Sequence, residues 1–543
     1  LTRGHITSSH RTKTSTAPHI VAWMGRIAAI LALLALSAAA FQPLPGLHPQ
    51  GGQIDTNIMR KIVLVGGGHA HVQVIKSLNR VSRPSDVHVT LIDRQRQASY
   101  SGMVPGCVSN LYSLDQVQID VAPLAEWAGD EFICGTVIGM TYDNEDCDKY
   151  VTVEVTDGNA VINKQVPFDV ISFDIGSTTR GFSSVPGARK HAISTRPISE
   201  LVLRIQREEE KIKSAGLKEG RVVVVGGGAA GIELALGLRA RWNDLLNGKL
   251  SITLCDSGDE LMPAESKACR DALNRVMLTY RIDVIHNASV EKVGQTTVNI
   301  QTSEKIGVKN QIVLEYTHCI WATGAERHQL AEDLNSQCGL EVTDRGWIVV
   351  NEYLESISHP GVFAAGDCNE IKLNGAKSPP KAGVYAVRSG PVLIENITRK
   401  LSGKKLTSFE PQSDFLKLLM CGDGKALGFR FGIPLFGKWV WELKDHIDVT
   451  FMNLFDVNLL PKLEIGGERG SETETGGKKS YDTKQYDAYE AGEKRPSASS
   501  AAADLLRTDD DVDYLHNWNI IKEMVQDGDY RRDVLAEARM KLA

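Results

Sequence analysis

Residues 226–231 read GGGAAG and stand between a valine-rich run and a stretch with helical periodicity. Gly226 allows a tight turn, Gly228 lets a pyrophosphate approach the backbone, and Gly231 permits the helix to pack closely on the strand. The first turn of such a helix offers free N–H groups to phosphates. Asp256 ends the next strand, where a carboxylate hydrogen-bonds a ribose and repels the extra phosphate of NADP. The motif therefore predicts a dinucleotide site that prefers NADH to NADPH.

A second glycine-rich turn occurs earlier in the chain, where residues 66–71 read GGGHAH and Asp93 ends the strand that follows. Its first and third glycines again supply the turn and the close approach, but His71 stands where a third glycine or alanine is usual. No Cys, Asp or Glu at metal-ligand spacing accompanies the two histidines. We therefore predict no metal site, and structural or cofactor-lining roles for both histidines. The predicted dinucleotide contacts of this turn are Gly66, Gly68, His69, Ala70 and Asp93.

Both turns lie in the same strand–turn–helix–strand pattern. Before each turn comes a run of branched apolar residues, at 61–65 and at 221–225. After each turn come apolar residues at helical spacing and then a second strand, at 88–92 and at 251–254. Two such units predict an α/β fold with two doubly wound, Rossmann-like nucleotide-binding domains. Alternating stretches such as residues 152–174 predict antiparallel inserts.

The length and composition argue against several classes of protein. At 543 residues the chain is too long for one ordinary core, so we expect two or three domains. A net charge of −6 gives no support for nucleic-acid binding. The 9 cysteines are scattered and form no C-x-x-C pair, which argues against a disulfide scaffold, a zinc site or a thioredoxin-like dithiol. We therefore expect the mature protein to work in a reducing compartment.

Residues 1–57 are interpreted as a targeting presequence and linker. Met24 is followed by the basic Arg26, the apolar run 27–36 and small residues, a pattern typical of a secretory signal peptide. The run is too short to span a bilayer. Phe41 follows the small residues directly, a junction that resembles the bipartite presequence of proteins targeted to secondary plastids. We predict a plastid location, with a secretory or endomembrane destination as the alternative.

Two later motifs indicate how the nucleotide units are joined. Thr323 and Gly324 end an apolar strand in an Ala-Thr-Gly loop, and Gly366 and Asp367 follow another apolar strand. With the two glycine turns in this order, the sequence resembles the pyridine nucleotide-disulfide oxidoreductase superfamily over nearly all of its folded part. The resemblance implies FAD on the first unit, where Asp367 binds the ribityl chain and the flavin-side phosphate. It implies NAD(P)H on the second unit.

The resemblance also implies a domain organisation in which the NAD(P)H-binding domain is inserted in the FAD-binding domain. A C-terminal α+β extension then covers the flavin. Beyond it, a segment rich in Gly, Ser, Thr, Glu and Lys buries too little apolar surface to fold, so we predict a disordered linker. A final helix docks on its own protein or on a partner. The predicted boundaries are 58–195 and 319–375 for FAD, 196–318 for NAD(P)H, 376–460 for the extension, 461–511 for the linker and 512–543 for the helix.

Residues 100–107 read YSGMVPGC, where disulfide reductases of the superfamily carry two nearby cysteines. The single Cys107 cannot cycle as a dithiol, so electrons must leave directly from the flavin. We interpret Cys107 as a wall of the flavin pocket, with a reactive thiol as the alternative. The segment resembles the flavin-facing loop of type II NADH:quinone oxidoreductases and, more closely, that of the flavoprotein module fused to selenide, water dikinase. The resemblance implies cofactor contacts at Ser101, Gly102 and Pro105.

Two residues are candidates for catalytic roles. Residues 379–383 read PPKAG, and the resemblance implies that the following helix directs its N-terminus at the flavin, with Lys381 and Ala382 in contact. The helix dipole and Lys381 would both stabilise negative charge on the reduced flavin. Glu233, which follows the NAD turn, matches a glutamate near the nicotinamide in quinone reductases. The alternatives are a solvated Lys381 and a Glu233 that only braces its helix.

The electron acceptor stays open. Two glutamines that border the quinone site of type II enzymes are replaced here by Gly383 and by Val387 or Arg388. The aromatic-rich segment 429–455 predicts a peripheral membrane contact or, alternatively, a cap over the flavin or a homodimer contact. We predict an FAD-dependent NADH dehydrogenase with a quinone-like or other small-molecule acceptor. The alternatives are a reductase of selenium or sulfur metabolism and an NADH-sensing flavin-binding protein.

Overall fold

In the computed structural model, the apolar runs that precede the two glycine turns become the central strands of two separate parallel sheets. The predicted presequence lies outside the described residues, and so does the chain from residue 464 onward, with most of the predicted linker and the predicted C-terminal helix. The structure describes residues 59–463 apart from 144–147, 159, 304–308, 374, 376 and 413.

The first sheet has five parallel strands, and Arg60–Val65 lies at its centre with its last four residues buried. A strand that is covered on both faces needs consecutive apolar side chains, which this run provides. Helix His71–Ser77 packs against Val121–Ala128 and against the long helix Gly383–Leu401. In spatial order the strands are Val362–Ala364, Val170–Phe173, Arg60–Val65, Val87–Asp93 and Glu131–Cys134.

The second sheet repeats this plan around Gly220–Val225, whose last four residues are also buried. Its helices are Ile198–Ser214, Ala229–Trp242 and Lys267–Thr279. The predicted α/β fold with two doubly wound nucleotide-binding units is confirmed. In spatial order the strands are Ile193–Ser194, His318–Trp321, Gly220–Val225, Leu250–Cys255 and Ile282–Ile285.

The chain passes between the two sheets at slightly different points from the predicted domain boundaries. Strand Ile193–Ser194 pairs in parallel with His318–Trp321, and both belong to the second sheet. The second unit therefore begins before residue 196 and continues past residue 318, because these short strands find their backbone partners there.

Each nucleotide unit carries a three-stranded antiparallel insert. Within the insert predicted at 152–174, strands Lys149–Asp157 and Ala160–Pro167 pair antiparallel. Val170–Phe173 instead joins the first sheet, parallel to Arg60–Val65, so the prediction was wrong for these residues. All four are buried, as a central parallel strand requires. The insert strands are Thr136–Tyr142, Lys149–Asp157 and Ala160–Pro167, then Ala288–Val293, Thr297–Ser303 and Lys309–Glu315.

After helix Gly383–Leu401 the chain forms an antiparallel sheet and then helix Lys438–Asn453. No helix in the described part of the chain is long and apolar enough to cross a membrane. The strands of this sheet are Lys417–Met420, Ala426–Arg430 and Ile433–Gly437. The remaining strands are Ala98–Ser99, Gln118–Ile119, Thr178–Thr179, Ala325–Glu326, Ile348–Val350 and Asn369–Ile371. The remaining helices are Val104–Val108, Asp115–Val117, Ala188–His191, Gln329–Cys338 and Gly366–Cys368.

Candidate functional site

The three glycines of the second turn are each required for a different reason. Gly226 has a φ of +112°, and a Cβ there would lie 2.3 Å from the carbonyl oxygen of Ala322. A Cβ on Gly231 would lie only 1.8 Å from the carbonyl oxygen of Gly226. Beside Gly228, by contrast, no heavy atom lies within 4 Å of the Cβ position, and the residue is exposed. Helix Ala229–Trp242 begins there without a side-chain cap, so its first N–H groups face an open cradle that fits a pyrophosphate.

The two predicted ribose-binding carboxylates occupy corresponding positions. Asp93 Oδ2 accepts a hydrogen bond from the backbone N–H of Gly67 at 2.6 Å. Asp256 Oδ1 accepts one from the backbone N–H of Gly227 at 3.3 Å. Each carboxylate is therefore held against the second glycine of its turn, at the carboxyl edge of its sheet, where such folds bind dinucleotides.

The returning loops that close the two turns are also equivalent. Gly66 has a φ of +92°, and a Cβ there would lie 2.4 Å from the carbonyl oxygen of Asp174. The carbonyl oxygen of Asp174 therefore packs against Gly66 in the same way as the carbonyl oxygen of Ala322 packs against Gly226. The Asp-Ile-Gly loop of the first unit is the counterpart of the Ala-Thr-Gly loop that holds Thr323 and Gly324. A residue-by-residue comparison of the two units would have singled out Asp174, which motif recognition missed.

The side chain of Asp174 fills the space in front of the first turn. Its Oδ2 accepts hydrogen bonds from the backbone N–H groups of Ala70, at 2.8 Å, and His71, at 3.3 Å. A Cβ on Gly68 would lie 2.2 Å from this carboxyl group. The backbone N–H groups of the turn therefore form a binding site for an anionic oxygen, called the seat below. The Asp174 carboxylate occupies this seat, where a phosphate of FAD would bind. The seat has the chemistry that the predicted cofactor needs.

His71 has a structural role in the place of the third glycine. Its Nδ1 lies 2.6 Å from the carbonyl oxygen of Gly66, and its Nε2 lies 2.8 Å from Ser172 Oγ. Burial lowers the pKa of His71 to about 4, so the ring is neutral. Since a carbonyl oxygen only accepts, Nδ1 carries the proton and Nε2 accepts from the Ser172 hydroxyl. His71 braces the turn against the strand behind it.

His69, by contrast, points into an aromatic cluster beside the flavin-facing loop. Its ring centroid lies 5.1 Å from that of Tyr100 and 6.2 Å from that of Phe451. Burial lowers the pKa of His69. A Cβ on Gly383 would lie 3.0 Å from Ser101 Oγ and 3.7 Å from His69 Nδ1. The first turn, the flavin-facing loop and the start of helix Gly383–Leu401 therefore meet at this point.

The flavin-facing loop is held in place by helix Lys438–Asn453 of the C-terminal extension, which is called the C-terminal helix from here on. Lys444 Nζ donates to the carbonyl oxygen of Gly102 at 2.7 Å and to Asp448 Oδ2 at 2.6 Å. Both charged side chains are more than nine-tenths buried. The hydroxyl of Tyr100 donates to Asp448 Oδ1 at 3.2 Å. Helix Lys438–Asn453 therefore caps the loop through a buried ion pair. A cap over the flavin itself stays a prediction.

Cys107 is buried within helix Val104–Val108 of the same loop. Burial raises the pKa of its thiol to about 11, with Arg241 opposing the shift, so the thiolate is disfavoured at neutral pH. Pro105 is buried beside it. This environment favours a wall of the pocket over a reactive thiol.

The predicted flavin residues of the second half of the unit converge in one cavity, which Gly366, Asp367, Lys381, Ala382 and Tyr385 line with their neighbours. Asp367 Oδ2 accepts a hydrogen bond from Ser177 Oγ at 3.1 Å and lies 3.4 Å from a guanidinium nitrogen of Arg196.

Lys381 is largely buried on one side of this cavity. Its Nζ donates to the carbonyl oxygen of Asn369, lies 3.5 Å from Glu370 Oε2, and sits 4.7 Å from the ring centroid of Trp347. Burial lowers the pKa of Lys381 in opposition to Glu370. Its ammonium is already paired, so the alternative of a solvated lysine does not hold. Its role toward the flavin stays a prediction.

Glu233 joins the NAD unit to the C-terminal sheet. Its Oε1 accepts a hydrogen bond from the backbone N–H of Met420 at 3.0 Å. Burial raises the pKa of Glu233 to about 7, with the charge of Lys444 opposing the shift. The carboxyl group is therefore able to gain or lose a proton near neutral pH, while its bond to Met420 also braces the helix.

The chain also matches a known protein family. The model of the family described as pyridine nucleotide-disulphide oxidoreductase matches residues 60–390, more than half of the chain. The chain belongs to this family. The predictions that it is an oxidoreductase and that it uses FAD and NADH agree with that membership.

Curated relatives and solved structures resemble the chain at low identity. The external alternative NADH-ubiquinone oxidoreductase of Yarrowia lipolytica is 21% identical over 375 residues, which are 65% of this chain and 62% of that protein. A type II NADH:quinone oxidoreductase of Haemophilus influenzae is 24% identical over 402 residues, covering 68% and 87%. NDH2 from Plasmodium falciparum, solved with NADH, superposes with a TM-score of 0.61 at 17% identity and covers 75% of this chain and 100% of that one. The sulfide:quinone oxidoreductase of Aquifex aeolicus gives 0.61 at 17% identity, with 74% and 93% coverage.

The carboxylate of Asp256 gives a direct test of the second site in this oxidoreductase. Replacing Asp256 by serine is expected to lower the preference for NADH over NADPH by about 10- to 100-fold, or about 1.4–2.7 kcal/mol, because the repulsion of the extra phosphate is lost. The measurement is the ratio of kcat/KM for the two coenzymes. The matched variant Asp93→Ser removes the corresponding carboxylate of the first turn and is expected to leave the ratio unchanged. An unchanged ratio in Asp256→Ser would contradict the assignment.

Proposed function

We propose that this chain is an FAD-dependent NADH dehydrogenase that passes electrons from NADH to a quinone-like acceptor without a redox-active dithiol. One observation carries the proposal. Two equivalent nucleotide-binding turns, one with an open cradle and one with a seat for anionic oxygen, belong to one family fold, while the flavin-facing loop holds a single buried cysteine. The names of the relatives from Yarrowia lipolytica and Haemophilus influenzae support a quinone as the acceptor.

The chain's own residues bind, orient and shield the reactants. The first turn of helix Ala229–Trp242 and Asp256 would hold NADH. Asp93 at the first glycine turn and the cavity that Asp367 lines would hold FAD. FAD, when bound, accepts a hydride and passes electrons on singly or in pairs. The C-terminal helix covers the flavin-facing loop and keeps water from it.

Glu233 is the group best suited to handle a proton. Reduction of a quinone to a quinol by NADH takes up one proton from solution, because the hydride carries two electrons and one proton. A carboxyl group whose pKa is near 7 is able to hold that proton at neutral pH. Its position between the NAD helix and the C-terminal sheet supports the predicted catalytic role.

A second candidate is a reductase of selenium or sulfur compounds. The flavin-facing loop resembles that of the flavoprotein module fused to selenide, water dikinase. The glutamines that border the quinone site in type II enzymes are also replaced here, by Gly383 and by Val387 or Arg388. In the structure the side-chain amide of Gln73 instead donates to the carbonyl oxygen of Val387, at 2.9 Å.

The deciding experiment uses the purified full chain loaded with FAD. NADH oxidation is measured with a short-chain quinone, ferricyanide, oxygen, selenite and polysulfide. Turnover at least about tenfold faster with the quinone than with selenite or polysulfide supports the proposal. Turnover confined to selenium or sulfur species supports the second candidate. Flavin that NADH does not bleach would contradict both and would leave an NADH-sensing protein.

We also propose that one face of the C-terminal extension rests on a lipid surface. Helix Lys438–Asn453 buries Val440, Lys444, Asp448 and Phe451 and leaves its opposite side exposed. Within the aromatic segment, Phe429, Phe451 and Phe455 are buried, while Phe431, Phe436 and Trp439 remain nearly half exposed. Exposed aromatic side chains beside an enzyme for a lipid-soluble acceptor favour an interfacial contact over a homodimer.

Replacing both Phe436 and Trp439 by alanine is expected to weaken binding to vesicles of mixed neutral and anionic phospholipid by about tenfold. Co-sedimentation with the vesicles measures this. Val161 is exposed in the insert of the first unit, so Val161→Ala is the matched control and is expected to bind as the unmodified chain does. Equal loss in both variants, or a shift from dimer to monomer in the double variant, would favour the alternatives.

The presequence supports a plastid location as a further proposal. A fluorescent fusion of residues 1–57 tests it, and an endomembrane pattern would support the alternative.

A further inference from the structure

Asp174 introduces a negative charge at the place where the first nucleotide unit must receive phosphate. Its Oδ2 accepts hydrogen bonds from the backbone N–H groups of Ala70, at 2.8 Å, and His71, at 3.3 Å. The residue is 5% exposed. Within the described part of the chain, no Lys, Arg or His nitrogen lies within the 4.0 Å of an ion pair with its carboxylate. Among the described residues, these two N–H groups are the hydrogen-bond donors that compensate the charge.

The second unit shows what this position looks like without the charge. Ala322 takes the corresponding place, and the space in front of Gly228 is open. In the first unit the same space, in front of Gly68, is filled by the Asp174 carboxyl group. The two turns also differ at the third glycine position, where His71 stands in place of Gly231, but it is the Asp174 side chain that fills this space.

The titratable groups around Asp174 in the described structure leave a second negative charge without compensation. The turn contributes His69 and His71, whose pKa values are both lowered by burial, so they are neutral. The neighbouring strand ends contribute the carboxylates of Asp93 and Asp367. Cys368, behind the carboxyl group, has a pKa raised to about 12 by burial and is neutral too. Lys381, across the cavity, is paired with Glu370.

We propose that FAD binding to this chain is coupled to the uptake of one proton by Asp174, so that the first unit binds FAD only when the Asp174 side chain is a neutral carboxylic acid. The proposal rests on the proposed function, because it takes FAD as the occupant of the first unit. The phosphates of FAD need the N–H groups that Asp174 holds, and a carboxylate cannot share them with a phosphate at contact distance. A neutral carboxylic acid releases these groups and donates its own proton to a phosphate oxygen. No other atom is gained or lost in this step.

The expected pH dependence follows from linkage. In the absence of FAD, burial raises the pKa of Asp174 to about 7, the N–H groups of Ala70 and His71 oppose the shift, and Asp367 and Asp93 add to it. Below that pH the acid form is already present, and binding needs no proton. Above that pH, Asp174 must take up one proton from the solvent for each FAD that binds, so the Kd for FAD is expected to rise about tenfold per pH unit. FAD affinity is therefore expected to be constant at low pH and to fall between pH 7 and 9.

The test measures FAD binding to the flavin-stripped full chain, by quenching of flavin fluorescence at pH 6 to 9. Calorimetry at pH 8 in two buffers of different ionisation enthalpy measures the protons taken up, and one proton per FAD is expected. Asp174→Asn keeps the shape without the charge, and Asp174→Ala copies Ala322 of the second unit. Both variants are expected to bind FAD with a Kd independent of pH, and about tenfold or more tighter than the unmodified chain at pH 8.5.

The control transfers the charge to the other unit. Ala322→Asp is expected to leave FAD binding unchanged and to make NADH binding weaken with rising pH. Tight, pH-independent FAD binding by the unmodified chain, with no proton uptake, would overturn the inference while leaving the proposed function intact. Absence of FAD binding at every pH, in the unmodified chain and in both Asp174 variants, would overturn the proposed function and the inference together.

Discussion

Replacing Gly231 by alanine is expected to lower kcat/KM for NADH by about 100-fold or more, equivalent to about 2.7 kcal/mol, while FAD remains bound to the first unit. The new Cβ would lie 1.8 Å from the carbonyl oxygen of Gly226. Neither group is flexible, since one belongs to a helix and the other to the turn. The helix must therefore shift by roughly 1 Å, which displaces the N–H groups that hold the pyrophosphate.

The same helix offers a matched control. Gly237 lies in helix Ala229–Trp242, and its Cβ would meet other atoms at 3.5 Å or more, which is ordinary contact. Gly237→Ala is expected to retain NADH oxidation, because alanine also favours a helix over glycine. Stopped-flow bleaching of the flavin absorbance by NADH separates coenzyme binding from later steps. Normal bleaching in Gly231→Ala would contradict the role given to this glycine.

Removing Asp448 is expected to have the largest effect on stability. Asp448→Ala leaves the ammonium of Lys444 buried without its partner 2.6 Å away, and such a loss costs about 3–5 kcal/mol of the free energy of unfolding. It also removes the acceptor of the Tyr100 hydroxyl, so the flavin-facing loop loses one of its two hydrogen bonds to helix Lys438–Asn453 described above and keeps the bond from Lys444 to Gly102. Urea unfolding followed by tryptophan fluorescence measures the change.

An exposed pair of the same spacing serves as the control. Lys267 and Asp271 are also four residues apart on a helix and lie 2.7 Å apart, but their side chains are 81% and 46% exposed. Asp271→Ala is expected to leave the urea midpoint of unfolding nearly unchanged, because an exposed ion pair contributes little to stability. The double variant Lys444→Met with Asp448→Leu removes both buried charges and is expected to recover most of the loss. Equal effects of Asp448→Ala and Asp271→Ala would contradict the burial argument.

The sequence was enough to predict what depends on local backbone geometry. The two glycine turns, the carboxylates Asp93 and Asp256, and the two parallel sheets follow from short motifs and from runs of apolar residues. Gly366 and Lys381 were placed by resemblance to a family, and the structure brings both into one cavity.

Other features depend on which segments meet in space, and the sequence does not show this. Lys444 and Asp448 look like a surface pair at helical spacing, and only the packing of the C-terminal helix on the flavin-facing loop makes them buried. Val170–Phe173 continues an alternating region without a visible break, yet it becomes a parallel strand. Asp174 follows it and resembles an ordinary loop residue until its carboxyl group is seen against the N–H groups of the first turn.

The bond from Lys444 to the flavin-facing loop has a consequence for the order of synthesis. Gly102 leaves the ribosome more than three hundred residues before Lys444 does. During that interval the loop has no cap, and the nucleotide units form first, because domains generally fold from the N-terminal side. Helix Lys438–Asn453 therefore closes the flavin site only after both nucleotide units have been made, and a chain terminated before this helix keeps that site open.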